Sequence, residues 1–360
     1  MSIEFKITHR HKESKLGVIE TAHGTIKTPA FMPVGTKGTV KAMLPEHVKA
    51  IGADIILGNT YHLMLRPGSK IIRDFGGLHN MMNWKKPILT DSGGFQIMSL
   101  SALRRIKEEG VEFRSHIDGS VHLMTPESST NLQHDIGSDI SMAFDECTPY
   151  PISYEGASIS MELTNRWAER SRNAFMNRKG YGQFGIIQGS IYQDLREKSA
   201  QFMANLDFDG YAIGGLAVGE GHELMLKVLD YAPKLLPNNK PIYLMGVGKP
   251  KDIIEAVKRG VDMFDCVLPT RSGRNGQAFT KNGPVNIRNQ KYAKEQEPLE
   301  IGCKCYACAN YSAAYVHHLV KSSEILGSIL MTWHNLFYFE DLMRRIREYI
   351  SLGIDLDFET

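Results

Sequence analysis

The sequence is 360 residues long with a net charge of +2, 42% hydrophobic and 23% charged residues, ordinary proportions for a soluble protein of one large or two medium domains. So mild a charge excludes wholesale coating of a nucleic acid, and any such partner has to be met by a local patch. Residues 1–15 are polar and basic without the apolar core of a signal peptide, and no apolar run reaches the ~20 residues that span a bilayer. A cytoplasmic protein with no membrane partner is expected.

Residues 4–27 alternate apolar and polar side chains around turn signals, which predicts short antiparallel strands ahead of the main fold. His9, Arg10 and His11 fall in a turn region and read as a polar hairpin tip in preference to a metal-binding pair. From Thr28 onward, apolar runs recur at residues 29–34, 53–57, 87–89, 139–144, 184–187, 211–218, 241–245 and 263–268, with helix-like segments between them. About eight strands alternating with helices predict an α/β fold, a (β/α)8 TIM barrel, with a doubly wound sheet as the rival. The barrel is favoured by what ends each run. Asn59, Asp91, Asp145, Gln188, Gly215, Gly246 and Asp265 fall at or just past strand C-termini, which in a barrel meet at one face.

Two stretches break this rhythm. Residues 110–124 alternate about Asp118-Gly119 and predict a two-residue β-hairpin inserted after the third barrel strand. Residues 275–315 are too long for a simple loop and hold three of the five cysteines, Cys303, Cys305 and Cys308. Three thiols in a tight turn suit a tetrahedral, structural zinc whose fourth ligand is open among His317, His318 and His334. Residues 333–352 carry apolar side chains at helical spacing and predict a closing amphipathic helix. The expected organisation is a single domain over 1–360: a main barrel over 28–274 behind the N-terminal antiparallel sheet, a zinc-binding subdomain over 275–340 near the last strand, and a closing helix over 341–360.

The chemistry concentrates around Asp265. It stands in the apolar run Met263 to Leu268, between Gly260 and Pro269, where a carboxylate is costly unless paired or solvated. Between Cys266 and Lys294 come six cations (Arg271, Arg274, Lys281, Arg288, Lys291, Lys294) and no acidic residue, which suits an anionic polymer. Asp91 precedes Gly93-Gly94, where the backbone can approach a ligand closely, and Asp145 ends another strand. Two carboxylates flanking a glycosidic carbon can serve as nucleophile and acid/base, and a third beside Gln188 can read a purine edge. The stretch Gly246 to Pro250, containing Lys249, reads as a turn entering a helix, with phosphate binding as the second reading, because it lacks the full phosphate-loop signature.

Taken in order, D-S-G-G-F-Q from Asp91, F-D-E-C from Phe144, G-I-I-Q-G from Gly185, G-G-L-A-V-G-E from Gly214, M-G-V-G-K-P from Met245, F-D-C-V-L-P-T-R-S-G-R-N-G from Phe264, and C-x-C-x2-C with a later Trp333-His334 resemble the tRNA-guanine transglycosylase family in its bacterial form. The resemblance covers essentially the whole chain. It implies a zinc-containing (β/α)8 barrel, acting as a homodimer, that exchanges the wobble guanine of G-U-N anticodons (tRNAs for Asp, Asn, His and Tyr) for 7-aminomethyl-7-deazaguanine (preQ1). By the same resemblance Asp265 is the nucleophile and Asp91 the general acid/base. Asp145, Gln188, Gly215 and Leu216 read the base, Met245 packs on its ring, and Phe95 stands where many bacterial members carry a stacking tyrosine. Cys147, Val218 and Glu220 shape the pocket for preQ1, with Glu220 facing its aminomethyl group. Thr270, Arg271, Arg274 and Lys249 contact tRNA, and Cys303, Cys305, Cys308 and His334 ligate zinc, a choice of histidine that spacing alone leaves open.

Two rival functions are weaker. A non-catalytic tRNA-binding subunit of the same fold is disfavoured because Asp91 and Asp265 are both present. A glycoside hydrolase acting on a neutral glycan would gain nothing from the cationic stretch. Tyr311, Tyr315 and His318, spaced four and three residues apart, fit either an aromatic contact between subunits or packing around the zinc subdomain.

Overall fold

The N-terminal alternation folds into an antiparallel sheet of β1 (Glu4–His11), β2 (Ser14–Thr21) and β3 (Gly24–Thr28) in the computed structural model, which describes residues 2–100 and 104–358. Ile19 and Ile26 on its inner face are fully buried. His11 ends β1 beside the tip, with Nε2 2.6 Å from Asp355.

The barrel strands are β4 (Ala30–Gly35), β5 (Ile56–Gly58), β6 (Ile88–Thr90) and, after an insertion of β7 (Arg104–Ile106), β8 (Val111–Arg114) and β9 (Val121–Met124), β10 (Ile140–Met142), β11 (Gly182–Ile187), β12 (Gly210–Ile213), β13 (Ile242–Leu244) and β14 (Met263–Cys266). All pair in parallel, and β14 returns to β4 with Asp265 opposite Met32, which closes the cylinder and excludes a doubly wound sheet. Met32, Leu57, Leu89, Met142, Ile186 and Met263 fill the interior and continue into Ile19 and Ile26, so the N-terminal sheet plugs the barrel's N-terminal end. Strand side chains alternate between faces. Asp265, two residues beyond Met263, therefore turns inward at the opposite mouth, as do Gln188 beyond Ile186 and Met245 beyond Tyr243.

Two buried polar contacts fasten the plug. Lys15 of β2 meets Asp262 at 2.8 Å, and both are nearly inaccessible to solvent. Asp139, just before β10, lies 2.8 Å from Nδ1 of His23, 3.0 Å from Nε2 of His79, and accepts the Ile88 N–H at 2.9 Å. The hydrogen bond to Asp139 raises the His23 pKa, and the two imidazoles hold the Asp139 carboxyl below the usual range despite its burial. The His23 share of stability is thus present below about pH 6.5 and lost as pH rises through its folded value. The Asp139 share is present above about pH 4 and lost on acidification. Replacing Asp139 by Ala strands two imidazoles and a strand N–H, and is expected to cost about 3–5 kcal/mol, measured as a lower denaturant midpoint at pH 6; an unchanged midpoint would remove the clamp from the account.

Two elements differ from the sequence reading. In the inserted hairpin Arg114 pairs with Val121, and the Ser115 N–H donates to Ser120 O at 2.8 Å, which leaves a four-residue loop over 116–119. A two-residue type I′ turn needs two positive φ angles, but in this loop only Gly119 takes one, at 74°, and Asp118 accepts the Ser120 N–H instead. The closing helix begins at Ile325, earlier than residue 333, and runs unbroken to Leu352, across residue 340; residues 359–360 of the expected 341–360 segment lie outside the described residues. Gly327 in its first turns is a close-packing point: a Cβ there would sit 3.1 Å from Leu319 and Val320. Among the described residues no helix is long and apolar enough to cross a membrane.

Candidate active site

Asp265 arrives on β14 with its two carboxylate oxygens in different surroundings. Oδ1 accepts the Tyr243 hydroxyl at 2.6 Å and the Gly246 N–H at 2.7 Å, while among the described residues no hydrogen bond reaches Oδ2. Burial lifts its pKa above the ordinary carboxylate range, and those two donors oppose the shift. One carboxylate oxygen is thus anchored and the other left open. Gly246, at a φ of 75°, spends its N–H on Asp265, and Lys249 stands exposed where the helix Pro250–Lys258 begins.

Asp91 follows β6. Its Oδ1 accepts the Thr60 N–H at 3.0 Å, and its Oδ2 accepts the Asn59 side-chain amide. Burial, reinforced by the charges of Asp265 and Asp145, pushes its pKa up to about 7. Asp145 accepts Ser92 Oγ at 3.0 Å and Gln188 Nε2 at 2.9 Å, and burial lifts it to about 6. Gly94 must lack a side chain, because a Cβ would lie 2.4 Å from Asp145 O. The D-S-G-G stretch thereby locks two strand ends together. The Gln188 amide packs closely against Gly214 and Gly215, where a Cβ on either glycine would come within 2.6 Å of it.

The loop after β12 carries Leu216, which is buried, and Val218, which is half-buried. Both Glu220 oxygens are taken up by this loop: Oε1 accepts the Ala217 N–H at 2.6 Å and Oε2 the Val218 N–H at 3.0 Å. Cys147 is half-buried close to Asp145, and burial pushes its thiol up to about 12. Met245 caps the barrel interior at this mouth, and Phe95, 50% exposed, stands over the rim.

The helix Leu268–Arg274 follows β14 directly. Thr270 is buried and donates its hydroxyl to Val267 O, whereas Arg271 is exposed and Arg274 half-exposed. Burial and then the charges of Arg274, Lys37 and Arg271 hold Lys41 below the ordinary lysine range, so the loop after β4 adds two cations to the two arginines. None of these four makes an ion pair among the described residues. The helix is pressed against Ile325–Leu352: a Cβ on Gly273 would sit 2.9 Å from the Thr332 N, and Asn335 donates to Pro269 O at 3.0 Å and Gln277 O at 2.9 Å.

Next to that contact, Sγ of Cys303, Cys305 and Cys308 lie 3.8, 3.6 and 3.3 Å from Nδ1 of His334. These four ligand atoms converge so that a metal ion could be held among them. Nε2 of His334 lies 2.7 Å from Phe279 O, which fixes the ring with Nδ1 toward the thiols. His317 is turned to Ile287 O, and His318 is exposed. Tyr311 and Tyr315 stack with centroids 5.5 Å apart, Tyr315 being 40% exposed.

The structure thus brings Asp91, Asp145, Gln188, Gly215 and Asp265 to one mouth, places Arg271 and Arg274 beside it, and sets the cysteine cluster behind that helix. Sequence reasoning missed Tyr243 and Ser92. Tyr243 was findable from register, since it lies two residues before Met245 in an inward-facing pattern.

A closed (β/α)8 barrel with three carboxylates and an amide at its C-terminal mouth, flanked by unpaired cations, defines a group-transfer enzyme acting on an anionic substrate. The family model described as queuine tRNA-ribosyltransferase matches residues 11–357. Proteins named queuine tRNA-ribosyltransferase from Rickettsia bellii (strain OSU 85-389) and Rickettsia felis (strain ATCC VR-1525 / URRWXCal2) are 70% and 69% identical over 356 residues, covering 99% of this chain and 99% of each relative. One from Rickettsia akari (strain Hartford) is 69% identical over 354 residues, covering 98% of both. The chain belongs to the queuine tRNA-ribosyltransferase family and is a transferase of that kind.

Proposed function

We propose that this chain exchanges the wobble guanine of G-U-N tRNAs for preQ1 by double displacement, through a covalent ribosyl ester on Asp265. The observation that carries the reading is the asymmetry of Asp265, one oxygen anchored and the other open, at the same mouth as an Asp91 whose pKa lies near neutrality. Oδ2 of Asp265 attacks the ribose anomeric carbon while the glycosidic bond to guanine breaks, and Asp91 gives the leaving base its proton. Asp91 then takes the N9 proton of the incoming base as that nitrogen displaces Asp265. Two inversions retain the configuration. Asp145 and Gln188 face the base edge with Gly215 and Leu216, Met245 and Phe95 supply apolar surface for its ring, and Cys147 and Val218 bound the pocket.

Thr270, Arg271, Arg274 and Lys249 form the tRNA-binding edge in this reading, with the unpaired cations meeting phosphates. Cys303, Cys305, Cys308 and His334 would hold zinc. Three thiolates and one imidazole would supply all four ligands of a tetrahedral ion and leave no open position, so its contribution would be structural. The whole chain serves as one catalytic domain in the cytoplasm, with the barrel over 28–274, the metal-binding part over 275–340 and the closing segment over 341–360. The test is incorporation of labelled guanine, and then preQ1, into an unmodified G-U-N tRNA. Incorporation supports the reading, and tRNA binding without exchange of either base would leave a binding subunit in its place.

Two further results are expected. Glu220→Gln should weaken preQ1 more than guanine in steady-state kinetics. The carboxylate would have to leave the Ala217 and Val218 N–H groups to meet the aminomethyl cation, and equal losses for both bases would remove that role. Tyr315→Ala should lower the mass seen by light scattering if the exposed Tyr311–Tyr315 stack contributes to a homodimer, and an unchanged mass would assign the stack to internal packing.

A further inference from the structure

Arg196 is a buried cation with no carboxylate in ion-pair contact among the described residues. It sits in the first turn of the helix Gln193–Asn205 and is 0% exposed. Its guanidinium is spent on backbone carbonyls: Nε donates to Ser190 O at 2.6 Å, Nη2 to Gly214 O at 2.9 Å and Nη1 to Ile187 O at 3.5 Å. Burial lowers its pKa only to about 10, so the charge persists at neutral pH. A buried charge held only by neutral carbonyls is expensive, and such an expense at the base-reading loops calls for a function.

The Gly214 carbonyl is the informative contact. In a trans peptide the C=O and the following N–H point in opposite directions, so holding Gly214 O on the Arg196 side turns the Gly215 N–H to the other side. That is the side of Cys147, where burial raises the thiol pKa and this N–H opposes the rise, and of Asp145 with the Gln188 amide. The same peptide forms the wall on which that amide rests. A cation on the carbonyl also draws electron density through the amide and makes the N–H a stronger donor.

Guanine offers donors at N1 and N2 and an acceptor at O6 along one edge. The Asp145 carboxylate can take only the donors, which leaves O6 for N–H groups. We propose that Arg196 is a positioning residue for base recognition: it fixes the Gly214–Gly215 peptide with the Gly215 N–H aimed into the pocket and polarises that N–H toward the 6-oxygen of a guanine-type base. This rests on the transglycosylase reading of the site. It adds a residue that touches no substrate yet sets the strength of one contact to it.

The test is equilibrium dialysis of the full-length protein with labelled guanine and with 6-thioguanine, which keeps the N1 and N2 donors but carries a weak sulfur acceptor. Arg196→Met is expected to weaken guanine by roughly tenfold or more and 6-thioguanine by less than about threefold. Arg196→Lys, which keeps the charge but not the fork, is expected to fall between. Equal weakening of both bases would reduce Arg196 to a loop tie, and undiminished guanine binding would remove it altogether. Should Arg196→Met fail to fold, the guanine to 6-thioguanine ratio of the Lys variant decides on the same terms. If the wild type binds neither base, the transglycosylase reading falls and this inference with it; if the wild type binds guanine and the variants match it, only the inference falls.

Discussion

Asp265→Asn is expected to lower base exchange by roughly 10⁴-fold or more while leaving tRNA binding nearly intact. The loss is chemical because the substitution is almost isosteric and the arginine-bearing helix that follows is untouched. In the wild type the Tyr243 hydroxyl and the Gly246 N–H converge on Oδ1, which in the proposed mechanism leaves Oδ2 as the attacking atom. The side-chain amide of Asn can keep its oxygen on those donors, but it then presents an NH2 group with no nucleophilic lone pair. Wild-type protein incubated with a G-U-N tRNA and then denatured should retain RNA on a gel, and Asp265→Asn should retain none. Adduct persisting in the variant would take the nucleophile's role from Asp265.

The second large effect is on pH. In the proposed mechanism Asp91 is protonated to release guanine and Asp265 is ionised to attack, so kcat/KM should be bell-shaped. Its alkaline limb belongs to Asp91, with a midpoint near 7 set by burial and by the neighbouring charges of Asp265 and Asp145. The acid limb lies above the usual carboxylate range because burial also raises Asp265. Three carboxylates so close titrate as a cluster, and the apparent values are the cluster's. Asp91→Asn should remove the alkaline limb and cost roughly 10² to 10⁴ in rate. Its effect on stability has the opposite sign. The folded-state pKa of Asp91 is above its unfolded value, so ionising it costs stability from about pH 4 upward, fully so above about pH 7. Asp91→Asn should therefore melt higher than wild type at pH 8. A wild-type profile that stays flat between pH 6 and 9 would rule out Asp91 as the acid.

Much of this site is legible in the chain because barrel geometry turns strand ends into an address. A polar residue closing an apolar run, as Asp265, Asp145 and Gln188 do, is delivered to the mouth by alternation alone. The three thiols are legible through their spacing. His334 is not, because it belongs to a helix remote in sequence, and only family resemblance singles it out. Tyr243 looks like one more core aromatic, its hydroxyl having no signature until Asp265 is placed above it. Arg196, between Leu195 and Glu197, reads as an ordinary helix-surface cation, and nothing in the sequence signals that the Gly214 carbonyl lies against it. The hairpin turn differs because Asp118-Gly119 signals a two-residue turn that the loop does not form, and the last helix starts earlier because apolar spacing marks its core-facing stretch and not its first turns. Gly119 supplies only one positive φ, and Gly327 lies inside the helix in close contact with Leu319 and Val320.

The close approach at Gly273 links parts that are usually considered separately. The helix bearing Arg271 and Arg274 rests on Thr332, two residues from His334, and Asn335, the next residue, is bonded to Pro269 O at the start of that same helix. The thiol cluster is therefore one end of a short mechanical series whose other end is the helix of Arg271 and Arg274, the surface proposed to meet RNA. Oxidants that convert these thiols to disulfide or sulfenate would slacken the series from behind and leave the carboxylates untouched. If that surface holds RNA as proposed, the enzyme would lose its grip on RNA before it lost its chemistry, and reduction should return it.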